Sequence, residues 1–107
     1  MSEEIPALKF DAAKATFDLL PAAALATISK VLDLGAVKYS PWNWHKGFLW
    51  LRLWNAAMRH LFAWVSGEDK DPETGLSHIA HAACCLLFLL SHEEEKLGTD
   101  NRRKMNE

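Results

Sequence analysis

The sequence predicts an all-α fold: a small domain of three principal helices, preceded by an ordered N-terminal arm and completed by a partner subunit. Three observations lead there. Apolar residues recur at helical spacing in three separate segments; no stretch alternates apolar and polar residues as a half-buried strand does; and the breaks between the segments are rich in glycine, proline and charge. With 107 residues the chain has room for one core.

Met1 to Thr16 lacks sustained periodicity and is expected to form the arm. Phe10 supplies an apolar anchor there, and Lys9, Asp11 and Lys14 are placed to reach a polar ligand, so the arm is expected to fold back over the functional region. Asp18 is a candidate N-cap, and Pro21 falls where a first helical turn tolerates it. Leu25, Ile28, Val31 and Leu32 then repeat at helical spacing, and Gly35 stands where a left-handed residue closes a helix. These limits give a first helix over about Leu19 to Leu34.

Ala36 to Gly47 contains Pro41, Asn43, Trp42 and Trp44, and is expected to be a turn-rich loop. A second helix is predicted from Phe48 to Ser66, ended by Gly67, with Leu51, Trp54, Met58, Leu61 and Val65 as its apolar stripe. His60 lies between Leu53, Ala57 and Trp64 on the helix and therefore faces inward or the edge of the core. After a very polar stretch from Gly67 to Gly75, a third helix is predicted from Leu76 to Lys96. Between Ile79 and Leu90 it is apolar on every side apart from His81, the pattern of a central, buried helix. Residues 1–97 then make one domain, and the charged segment 98–107 is expected to fray.

Composition narrows the function. The formal net charge is -2 with both signs interspersed, which gives no basic footprint for a nucleic-acid polymer. The longest apolar run, Ala82 to Leu90, is far short of the roughly 20 residues of a membrane span, and the acidic Met1-Ser2-Glu3-Glu4 start does not resemble a signal peptide. Cys84 and Cys85 are adjacent and are the only cysteines, so no disulfide framework exists and a cytoplasmic location is expected. Five tryptophans and five phenylalanines are more than three helices readily cover, which predicts a homo-oligomer, a dimer first of all.

Chemistry concentrates between His60 and His81. His78 and His81 share a helical face at i, i+3, and burial of two imidazoles costs free energy unless each finds a partner or a metal. Glu68, Asp69, Asp71 and Glu73 put four carboxylates into six residues just before them. Oxygen ligands alone suit Mg²⁺ or Mn²⁺, and added imidazoles shift the preference toward Mn²⁺, Zn²⁺ or Fe²⁺. Glu68, Asp71, His78 and His81 are the candidate metal ligands, and Glu68, Asp71 and His60 the candidate catalytic groups. The plainer alternatives are two satisfied helix-end histidines and a solvated acidic loop that complements a helix dipole. Arg52 and Arg59 share one face of the second helix and could clamp a phosphate, and Lys38 and Arg59, with Lys9 from the arm, are candidates to neutralise it. Tyr39 and Trp44 are candidates to stack a base, although Trp44 would serve equally as core cover. A structural zinc site is a further alternative.

Several segments, in order, carry a resemblance: Lys9-Phe10-Asp11, Leu20-Pro21, Gly35-Ala-Val-Lys-Tyr39, Asn43-Trp44-His-Lys-Gly47, Arg59-His60-Leu-Phe-Ala-Trp64, Gly67-Glu-Asp-Lys-Asp71 and Gly75-Leu-Ser-His78-Ile-Ala-His81-Ala. From about Lys9 to Leu90 the chain resembles the small phage-encoded family of dATP/dGTP diphosphohydrolases, N-terminal type, which is grouped with the MazG-like all-α nucleotide pyrophosphohydrolases. The resemblance implies hydrolysis of a deoxynucleoside triphosphate to monophosphate and pyrophosphate with a divalent metal. MazG-like enzymes hold their ions with carboxylates spaced ExxE on one helix and ExxD on the next. This chain departs from that pattern: His78-xx-His81 occupies the comparable place, and the preceding helix has no ExxE. The alternative function is a non-catalytic phage accessory module that binds a nucleotide or a host protein.

Overall fold

The structure is a computed structural model, and it describes residues 5–104. Three α-helices carry the fold: α1 (Ala22–Lys38), α2 (Trp50–Val65) and α3 (His78–Glu95), with short 3₁₀ turns at Phe17–Leu19 and Asn43–Lys46. The all-α expectation holds, and α3 is central in that it packs against both α2 and α1. It is less enclosed than expected. His78, Ala80, Ala82, Cys84 and His92 are buried, whereas Ile79, Leu86, Leu87 and Leu90 remain more than 40% exposed.

The helix boundaries have local causes. α1 starts at Ala22 rather than Leu19, because Leu20 precedes proline and is held extended (φ -76°, ψ 142°). Pro21 is the N-cap, its carbonyl accepting from the Leu25 N–H at 3.0 Å, and Asp18 sits in the preceding 3₁₀ turn instead of capping. At the other end Gly35 is an ordinary helical residue, and α1 runs on to Lys38 before Pro41 forbids further helix. Nothing lies within 4 Å of where a Gly35 side chain would project. Gly35→Ala is therefore expected to stabilise the protein by about 0.5–1 kcal/mol, through reduced entropy of the unfolded chain. Denaturant unfolding of the two proteins checks this.

In α2 the inner stripe is rotated from the one expected. Leu53 and Ala57 are buried with Trp50 and His60 partly covered beside them, while Trp54 and Val65 are 47% and 69% exposed. The placement of His60 at the core edge is as expected. α3 is capped by Ser77, whose side chain accepts from the Ile79 N–H at 3.1 Å, and it ends at Lys96 in the left-handed region.

Two terminal segments depart from expectation. The arm does not fold back onto its own chain: every described residue from Ile5 to Leu20 is exposed, and Phe10 is 87% exposed. Residues 1–4 lie outside the described residues. Conversely, the segment after Leu97 is held in place as far as Arg102. α2 lacks a side-chain N-cap of its own, so its first N–H groups need acceptors. The Thr99 carbonyl takes the Trp50 N–H at 3.0 Å, and Asn101 Oδ1 takes the Leu51 N–H at 3.0 Å. The Trp50 indole N–H donates to the Leu97 carbonyl at 2.8 Å, and Arg102 lies over the same ring. Gly98 has to be glycine here, since a Cβ would collide with the Phe48 carbonyl. No helix among the described residues is long and apolar enough to cross a membrane.

Candidate functional site

α2 and α3 lie side by side, and three imidazoles meet between them. His60 comes from α2, and His78 and His81 from the first turn of α3. The His60 and His78 Nδ1 atoms are 2.9 Å apart, and the His60 ring stacks on His81 with centroids 4.6 Å apart and planes at 13°. His78 is the innermost, 4% exposed.

The loop between the helices supplies the acids. It doubles back through a bridge between Lys70 and Ser77, with the Asp71 N–H donating to the Leu76 carbonyl at 2.8 Å and the His78 N–H to the Asp69 carbonyl at 3.0 Å. Asp71 Oδ1 accepts from the N–H groups of Glu73 (2.8 Å) and Thr74 (3.1 Å), an Asx turn that fixes the carboxylate. Its Oδ2 faces His60 Nδ1 at 4.0 Å. Donor atoms of His60, Asp71 and His78 all lie within 4.8 Å of one another, so these three residues form one potential ligand set.

The other two expected ligands have different positions. Glu68 Oε1 meets His78 Nε2 at 2.6 Å on the far side of the ring from His60. A carboxylate accepts, so Nε2 carries the proton and His78 Nδ1 presents its lone pair toward His60. His60 Nδ1 is then the donor of that pair. This is the carboxylate–histidine arrangement that orients a ligating imidazole. His81 Nε2 pairs with the Thr74 hydroxyl at 2.7 Å, and the same hydroxyl accepts the Leu76 N–H. His81 supports His60 by stacking and stands outside the three-residue set.

The electrostatics favour neutral rings beside a fixed anion. Burial lowers the His60 pKa, and the neighbouring His81 and His78 lower it further; burial also lowers that of His81. Burial of Asp71 opposes its charge, yet the Thr74 and Glu73 N–H groups outweigh this and hold its carboxyl below the usual range. The sign of the pH dependence follows. The unfolded imidazoles titrate near 6.5, above their folded values. Their contribution is therefore fully present above that pH and declines as pH falls toward the folded values, because the unfolded chain takes up protons first. Melting temperature is expected to drop from pH 7.5 to pH 5.5, and to drop less in His60→Gln. An identical slope in the variant would contradict this assignment. Asp71 acts in a separate window, below 3.8.

The cluster opens onto a groove of about 1160 Å³ between α1, the loop after it and the α2–α3 pair. His60, Asp71 and His81 line it, and so do Lys38, Tyr39, Trp44 and Arg59, which the sequence proposed as ligand contacts. Lys9 does not. Lys38 reaches across from the end of α1 to Glu73 at 3.2 Å, which raises its pKa and keeps it charged. Trp44 lies flat on Phe88 (5.0 Å, 12°), so one of its faces is committed to packing. Burial drives the Cys84 thiol up to about 12 and also raises that of Cys85, so in the metal-free chain both are neutral thiols.

Sequence reasoning missed Thr74, which also lines the groove, and the full burial of His92. The Asp71–Thr74 spacing of an Asx turn before a helix was a usable signal for Thr74. Arg52, which shares a helical face with Arg59, lines the groove as well.

The family model for the dATP/dGTP diphosphohydrolase N-terminal region matches residues 4–102. A curated protein named dATP/dGTP diphosphohydrolase, from Salmonella phage PMBT28, is 36% identical over 96 residues. That alignment covers 90% of this chain but 33% of the relative, so the chain spans about a third of the relative's length. No solved structure matches the chain.

Proposed function

We propose, from the premise that this chain belongs to the dATP/dGTP diphosphohydrolase N-terminal family, that its groove binds a deoxynucleoside triphosphate of the dGTP/dATP class. There it hydrolyses the ligand, with a divalent metal, to monophosphate and pyrophosphate. The observation that carries this reading is the convergence of His60, Asp71 and His78 beside a groove lined by Lys38, Arg52 and Arg59.

The residues fit a metal. Two imidazole nitrogens and one carboxylate oxygen suit Mn²⁺, Fe²⁺ or Zn²⁺ better than Mg²⁺, which prefers oxygen. Such an ion, when bound, polarises a phosphoryl oxygen and lowers the pKa of water. The chain supplies the rest. Glu68 keeps the His78 Nε2 proton in place, so Nδ1 remains a lone-pair donor. His60, whose Nδ1 proton points to His78 in the metal-free cluster, would have to move that proton to Nε2 to offer Nδ1 as well, and a depressed pKa favours the neutral ring this requires. Lys38, Arg52 and Arg59 offset the negative charge of the triphosphate and of the departing pyrophosphate.

Incubation of the chain with Mn²⁺ and a panel of dNTPs, followed by pyrophosphate assay, tests the proposal. Release that is strongest with dGTP or dATP is expected; binding without release supports the second reading, a nucleotide-binding module. The absence of an ExxE pair favours that second reading. The exposed Trp54, Phe62 and Leu90 support a homodimer as the working unit. Light scattering should then give twice the chain mass, and the mass of one chain at every concentration contradicts it.

A further inference from the structure

We infer that Trp42, rather than Trp44, is the platform on which the base of the bound nucleotide stacks. The inference deepens the nucleotide reading above and rests on it. Trp42 is one of three non-glycine residues with positive φ among the described residues, at φ 64° and ψ 14°. That region disfavours a bulky L-residue, and glycine or asparagine would make the same turn with less strain. Strain of this kind persists where the surroundings impose it, and it concentrates at ligand sites.

What the strained backbone achieves is display. The Trp42 side chain is 69% exposed, while Trp44, two residues on, is covered by Phe88. Trp44 touches Trp42 at a tilt (5.6 Å, 37°), and His45 meets it edge-on (6.3 Å, 87°). The indole is thus steadied by its neighbours while most of its surface stays open. Its stability gain from packing is small, so burial does not explain a tryptophan here.

Position supplies the second argument. Trp42 lines the same groove as Lys38, Arg52, Arg59 and the imidazole cluster. Tyr39, also a lining residue, is 65% exposed with the Lys38 ammonium 5.4 Å from its ring centroid. One groove therefore combines exposed flat aromatic surface with fixed positive charge. A nucleoside triphosphate has the matching pair of features, a planar base and an anionic chain. An aromatic platform recognises the π-face common to all bases, so Trp42 contributes affinity for a base without choosing among bases.

The test uses the full chain with Mn²⁺ and two probes, dGTP and inorganic tripolyphosphate, which has the anionic chain but no base. Calorimetry should show dGTP bound more tightly than tripolyphosphate by the parent. Trp42→Ala should weaken dGTP about tenfold and leave tripolyphosphate unchanged, and Trp42→Phe should restore most of the loss. Equal affinity of parent and Trp42→Ala for dGTP, or equal loss for both probes, overturns the platform while the nucleotide reading stands. Failure of the parent to bind either probe overturns both. If Trp42→Ala lowers the mass measured by light scattering, the indole is a subunit contact and the platform is again overturned.

Discussion

His92→Ala should destabilise the domain by about 3–5 kcal/mol, a large share of the roughly 5–15 kcal/mol that holds a domain of this size together. His92 is fully buried. Its Nδ1 donates to the Phe88 carbonyl at 2.7 Å, and its Nε2 accepts the Phe48 N–H at 3.1 Å, which fixes a neutral ring with one tautomer. Alanine leaves a cavity and strands the Phe48 N–H. The damage should spread to the terminal segment, because the Leu97 N–H donates to the His92 carbonyl and the Thr99 N–H to that of Phe48. Urea unfolding should show the loss, and hydrogen exchange should show the Trp50 and Leu51 amides unprotected before the rest of α2. A cost below about 1 kcal/mol would show that water or a rearranged side chain replaces both hydrogen bonds.

Asp71→Asn should weaken Mn²⁺ binding at least about a hundredfold while lowering the melting temperature only slightly. Asparagine keeps the side-chain oxygen that accepts from Glu73 and Thr74, so the turn survives. What it removes is the anionic oxygen facing His60, the atom proposed to bind the metal. Glu68→Gln should have a smaller effect, about tenfold, since Glu68 orients His78 without joining the set. His81→Ala should have the least effect on metal binding, because it acts through its stacking on His60. His78→Ala is less informative, since its burial couples metal loss to destabilisation. The order Asp71, Glu68, His81 is the checkable outcome by equilibrium dialysis. An effect of His81→Ala as large as that of Asp71→Asn would put His81 among the ligands after all.

The fold class was legible because α1, α2 and α3 each carry a long helical period, and that signal survives errors at the ends. The ends themselves were decided by single local events. Leu20, held extended before Pro21, delays α1, and Gly35 stays helical because one glycine costs too little to stop a helix that Ala36, Val37 and Lys38 continue. The candidate site was legible as a neighbourhood: His60, Glu68, Asp71, His78 and His81 do come together. Their division of labour was not, since a spacing of three residues places His78 and His81 on one face without saying that Glu68 stands behind one and Thr74 beside the other. The segment after Leu97 looked frayed because its charges are all that sequence shows. Its actual role depends on the bare first turn of α2, some 47 residues away from Leu97 along the chain.

The central claim is that His60, Asp71 and His78 together hold a divalent metal beside the groove, and pulsed EPR of the chain loaded with Mn²⁺ tests it most directly. The account predicts one Mn²⁺ per chain, with nitrogen couplings from two imidazoles that fall to one in His60→Gln. A bound Mn²⁺ showing no nitrogen coupling, or couplings unaltered by that replacement, would contradict it.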